Sequence, residues 1–139
     1  MARTRIETRA RARALQALYA WDLRREARLD EAASQIWDDL SVAPEERAIA
    51  GRIVRTLMSD GGRIDDALRD VTTNWRLERL GAIERSVLRL AAAELVRSET
   101  PPRVVLQEAV KLAERYGSAQ SARFVNGVLD ALARRMGRL

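Results

Sequence analysis

Side chains suited to covalent or metal chemistry are scarce in this sequence. Its 139 residues include no cysteine and no histidine. That removes disulfide frameworks, thiol nucleophiles, Cys/His zinc sites, imidazole bases and the triads built on them. Carboxylates, hydroxyls, a single lysine (Lys111) and 24 arginines remain. Asp65, Asp66 and Asp70 lack the glycine and glutamate positions of a calcium loop and read as a solvated acidic face. Glu84 and Glu108 read as helix-surface acids. Glu94 falls on an apolar stripe, where a carboxylate calls for an arginine or backbone donor rather than for acid catalysis. Gly61-Gly62 follows no strand and precedes no lysine, so it is no phosphate loop. An enzyme is not expected, nor a cofactor, nor a metal site.

Arginine is the group in excess, and it is clustered. Residues 1–28 hold eight arginines against three acids, 29–70 five against ten, and 71–139 twelve basic groups against seven acids, for a net charge of +5. The chain thus has a basic head, an acidic middle and a basic tail. A guanidinium offers a planar fork of donors that fits phosphate and stacks on bases, so the basic stretches are the places to look for a polyanion.

The elements that position these arginines read as helices. Apolar residues recur at three and four rather than two, with sparse glycine and proline. Helices are expected over about Arg5 to Arg25, Asp30 to Leu40, Pro44 toward Val71 and Glu78 to Ser98, and a fifth is started by Thr100-Pro101-Pro102 and carries Val105, Ala109, Leu112 and Tyr116 at helical spacing. A last helix, carrying Phe124, Val128, Leu129 and Leu132, is capped by Ser118. Gly61-Gly62 should weaken or bend the third, and Gly117 should cap the fifth. The composition, 47% hydrophobic and 32% charged, suits a soluble globular domain with a core of its own. No run of about 18 apolar residues occurs, and Ala14 to Trp21 is too short and lacks the cleavage site of a leader, so no membrane association is expected and the cytoplasm is the expected compartment.

On a wheel of about 100° per residue, Arg5, Arg9, Arg13, Gln16 and Tyr19 share one face of the first helix. Ile6, Ala10, Ala14, Ala17, Leu18 and Trp21 occupy the opposite arc. Guanidinium on one side and core on the other suits a helix lying along a phosphate backbone, with an aromatic platform of the kind that single-stranded RNA readers use. A plain solvated face is served equally well by the same charges. Tyr19 alone fits a core edge with a wet hydroxyl, and Phe124, the only phenylalanine, fits the core.

Three stretches carry more. They are Ala14-Leu15-Gln16-Ala17-Leu18-Tyr19-Ala20-Trp21; Asn74-Trp75 with Leu77-Glu78-Arg79-Leu80 and Ile83-Glu84-Arg85-Ser86-Val87-Leu88-Arg89-Leu90; and Phe124-Val125-Asn126-Gly127-Val128-Leu129-Asp130. In order and spacing, over nearly the whole chain, they resemble the NusB family of bacterial transcription antitermination factors. The resemblance implies one all-α, NusB-like domain over 1–139, of about six to seven helices in two small bundles, about 1–75 and about 76–139. It implies that the protein, with the small-subunit ribosomal protein that doubles as NusE, binds the single-stranded boxA element of nascent ribosomal RNA and helps RNA polymerase read through terminators. Carried over by position, the family's RNA contacts fall on Arg3, Arg5, Arg9, Arg11, Arg13, Tyr19, Glu84, Arg123 and Phe124. The wheel adds Gln16, and it leaves Arg3 and Arg11 off the shared face. Two further implications stand beside this one. The same helical domain is fused to ribosomal RNA cytosine methyltransferases, although this sequence carries no Rossmann-like glycine loop, and some NusB-like proteins pair as homodimers.

Overall fold

The computed structural model describes residues 2–24, 27–72 and 74–139, with side chains described from Arg5 onward. Among them are six α-helices and a 3₁₀ turn: α1 Ala2–Leu23, α2 Leu29–Asp39, α3 Pro44–Val71, the turn Leu77–Arg79, α4 Ala82–Arg97, α5 Pro102–Tyr116 and α6 Ala119–Arg135. The described residues form no strand.

The alanines of α1 explain its place. Ala10, Ala14 and Ala17 are fully buried together with Leu15 and Leu18, and their small side chains let α1 pack on α2, α3 and α4 at once. Pro44 opens α3, followed by Glu45 and Glu46, with Arg69 in its last turn; proline fits a first turn whose N–H groups lack helical partners, and these charges match the helix dipole. Ser118 caps α6 as expected, its hydroxyl accepting from the Ser121 N–H at 3.0 Å. Gly117 does end α5, but for a different reason from the left-handed backbone that usually selects glycine. Its φ is −117°, and a Cβ there would lie 2.8 Å from both the Ala113 carbonyl oxygen and Ser121 Oγ.

The Gly61-Gly62 pair lies inside α3, which runs through it as one helix. Two glycines cost roughly 2 kcal/mol of propensity. Buried Ile53, Val54 and Leu57 before them, and Ile64 and Leu68 after, supply more than that. The fourth helix starts later than its periodicity suggests. Residues 77–79 form the separate 3₁₀ turn, Leu80 is extended (φ −70°, ψ 157°), and Gly81 stands at the start of α4.

At the centre lies α4, which packs on α1, α3, α5 and α6. Every residue from Ser86 to Leu95 is buried, not only the expected stripe, because Ala91, Ala92 and Ala93 let neighbours close over several faces. The buried apolar side chains of all six helices form one connected cluster.

Candidate nucleic-acid interface

Charges buried around α4 decide which arginines remain for a ligand. Arg11 is 4% exposed. Its Nε and Nη2 donate to the two carboxylate oxygens of Glu94 at 2.8 and 2.9 Å, and Nη1 donates to Glu108 Oε1 at 3.3 Å. The Arg11 side chain is therefore held in a buried ion pair, away from the outward face of α1. Glu108 is likewise no surface acid: it is buried and also accepts from the Thr8 hydroxyl and from Lys111. Burial works against both charged forms. Glu94 and Glu108 nevertheless hold the Arg11 guanidinium above its ordinary pKa, and Thr8, Lys111 and Arg11 hold the Glu108 carboxyl below the usual range. Glu94 thus has the arginine partner its position called for.

Arg5, Arg9 and Arg13 of α1 face outward, though not all are unencumbered. Arg5 is exposed. Arg9 and Arg13 converge on one carboxylate of α3, Glu46, with Nε to oxygen distances of 3.1 and 3.2 Å. Arg13 also donates to Gln16 Oε1 at 3.2 Å. Tyr19 is 39% exposed at the end of the row. The Arg3 side chain lies outside the described residues.

A second surface forms where the connection into α4 meets α6. Trp75, 61% exposed, stands edge-on to Phe124, with ring centroids 6.1 Å apart and planes at 80°. The two rings, Arg79, Gly81, Glu84 and Ser121 line a groove of about 300 Å³. Phe124 is half-buried, packed against the core on one side and against this groove on the other, and Arg123 beside it is exposed. Glu84 is half-buried and accepts from the Ser121 hydroxyl. The resemblance named Phe124 and Glu84, which line this groove, together with Arg123, which lines a separate hollow between α5 and α6, and it gave Trp75 and Arg79 no role. The available signal was a tryptophan in a polar stretch with no helical stripe to belong to.

Asp22 ties the two surfaces together. It lies in α1, three residues beyond Tyr19, and takes both Arg85 and Arg89 of α4. Arg89 continues to Asp65 of α3 at 3.0 and 3.1 Å. Asp65 is therefore part of an ion-pair ladder and not of a solvated acidic face. The described residues hold no group of three or more acidic, His or Cys side chains arranged for a metal, and no described helix is long and apolar enough to cross a membrane.

An all-helical domain whose outward cations run along one helix, with an aromatic groove on a neighbouring face, is the architecture of a small helical nucleic-acid-binding module. The chain belongs to the NusB family, whose model matches residues 8–134. A relative named transcription antitermination protein NusB, from Anaeromyxobacter dehalogenans strain 2CP-1, is 46% identical over 94% of this chain and 92% of its own. The solved structure of T. maritima NusB superposes with a TM-score of 0.85 at 33% identity, over 92% of this chain and 90% of that one. A chain in the structure of antitermination factors NusB and NusE in complex with double-stranded RNA gives 0.83 at 32% identity, over 97% of this chain and 99% of that one.

Proposed function

We propose that this protein is an RNA-binding transcription antitermination factor of the cytoplasm, without catalysis of its own, which binds the boxA element of nascent ribosomal RNA together with a NusE-type ribosomal protein and supports read-through by RNA polymerase. Family membership supplies the process. The observation that carries it to this chain is the Trp75–Phe124 groove, an exposed indole against a half-open phenyl ring with Arg79 in its lining. Exposing an indole to water is unfavourable, and a stacked base removes that cost. Arg5, Arg9, Arg13, Gln16 and Tyr19 of α1 would hold the phosphate backbone and a second base, with Glu84 at the groove's polar wall.

The test is binding of a labelled boxA single strand, a scrambled strand and a duplex, each with and without the NusE-type partner. Preference for boxA that sharpens with the partner is the expected result. Equal affinity for boxA and scrambled strands in both conditions would overturn the reading. Replacing Trp75 or Phe124 by alanine should weaken boxA binding about tenfold, the loss that one base–aromatic stack gives.

A further inference from the structure

An exposed tryptophan has little of its own to hold it in place, yet Trp75 is seated against Phe124. The Trp75 backbone N–H donates to the Thr72 carbonyl at 2.9 Å, and three side-chain contacts hold the turn that follows. Leu77 is fully buried. Glu78 accepts from Arg69 of α3 at 2.9 and 2.6 Å, but that pair is exposed and exposed pairs hold weakly. The third contact is Arg85, whose side chain is only 14% exposed. Its Nη1 donates to the Leu80 carbonyl at 2.6 Å, with the Leu77 and Glu78 carbonyls at 3.3 and 3.4 Å. The Leu77 carbonyl already accepts from the Leu80 N–H at 3.3 Å, whereas the Glu78 and Leu80 carbonyls lie at the end of the 3₁₀ turn, where carbonyls lack helical partners and attract a cation. The other edge of the same guanidinium grips both oxygens of Asp22 on α1, Nε at 3.1 Å and Nη2 closer. That hydrogen bond, outweighing burial, keeps the Arg85 pKa above its ordinary value.

We infer that Arg85 is a positioning residue for RNA binding: by clamping Asp22 of α1 to the carbonyls of the 77–80 turn, it seats Trp75 against Phe124 and sets the aromatic groove in register with the arginine face of α1. The role rests on the proposed RNA surface. It needs the fork of a guanidinium, since one edge must meet a carboxylate while the other meets backbone carbonyls. Asp22 keeps Arg89 at 3.3 Å when Arg85 is replaced, so the carboxylate is not left without a cation.

A double-mutant cycle separates positioning from general weakening. Affinity for a labelled boxA single strand is measured for the unaltered protein, Arg85→Gln, Trp75→Ala and the double variant. We expect Arg85→Gln to weaken binding about fivefold, part of the range for one lost stack. In the Trp75→Ala background it should weaken binding less than about twofold, because there is no ring left to position. The same factor in both backgrounds would overturn the inference while leaving the RNA surface intact. Unchanged binding by Trp75→Ala would instead remove the groove from the RNA surface, and the inference with it. Should Arg85→Gln melt below the assay temperature, Arg85→Lys carries the cycle, because it keeps a charge beside Asp22 and lacks the fork. Fluorine NMR of 5-fluorotryptophan protein gives an independent reading. The Trp75 resonance should shift or broaden in the Arg85 variant while that of Trp37, bonded to the Arg13 carbonyl, stays fixed. An unmoved Trp75 resonance overturns the positioning role.

Discussion

Arg11 and Glu94 are both buried charges, and each answers the other. Losing one partner of such a pair leaves a buried charge uncompensated, which costs about 3–5 kcal/mol. Arg11→Ala should therefore lower the midpoint of thermal or urea unfolding substantially, since it strands Glu94 and loosens Glu108. Arg5→Ala, on the exposed face, should change stability by less than about 0.5 kcal/mol. Equal melting of the two variants would show that Arg11 is not the core cation its geometry makes it. The pairing was partly legible in the sequence. On the wheel Arg11 falls within about 20° of Leu18, on the core side, and Glu94 announced its need for a donor by lying on an apolar stripe. What the sequence withheld was that the two are partners, because a contact between residues 83 positions apart depends on how α1 crosses α4. Asp22, Asp65 and Glu46 were opaque for the same reason. Each looks like a surface acid until a second helix brings its arginine.

At the scale of elements, helix starts carried by chemistry were readable and those set by packing were not. Pro44 with Glu45 and Glu46, and Ser118 three residues before Ser121, mark beginnings that need only local hydrogen bonds and charges. Leu77, Leu80 and Ile83 share helical spacing, yet Leu77 enters the core from a 3₁₀ turn, and Gly81 separates it from α4. Periodicity cannot distinguish a helix from two shorter pieces that happen to bury the same side. At the glycine pair of α3 the local propensity cost stands, and tertiary packing carries the helix through it. A Cβ added at Gly61 or Gly62 meets nothing within 4 Å, and both lie inside a helix. Gly61→Ala and Gly62→Ala should each raise stability by about 0.5–1 kcal/mol, read as a higher midpoint in denaturant. A lowered midpoint would mean that the glycines serve a close approach absent from this structure.

Over the whole molecule, the formal charge overstates what a polyanion meets. The basic head contributes eight arginines, but Arg11 is spent inside the core and Arg9 and Arg13 share Glu46. The outward face of α1 from Arg5 to Arg13 therefore presents one net charge at Arg5 and one across the Arg9–Arg13–Glu46 group. For single strands, each neutralised phosphate contributes about 0.7 to the slope of log affinity against log salt. Replacing Arg5, Arg9, Arg13 and Glu46 together by neutral residues should flatten that slope for boxA binding by about 1.4, two net charges, rather than by the roughly 2.1 that three free arginines would give. Adding Glu46→Gln to the unaltered protein should steepen the slope by about 0.7, because it releases a guanidinium from its internal partner. Titrations from low to moderate salt distinguish these values. An unchanged slope in the quadruple variant would remove α1 from the RNA surface. A change near 2.1 would mean that RNA displaces Glu46 outright, in which case the Glu46→Gln variant would leave the slope where it was.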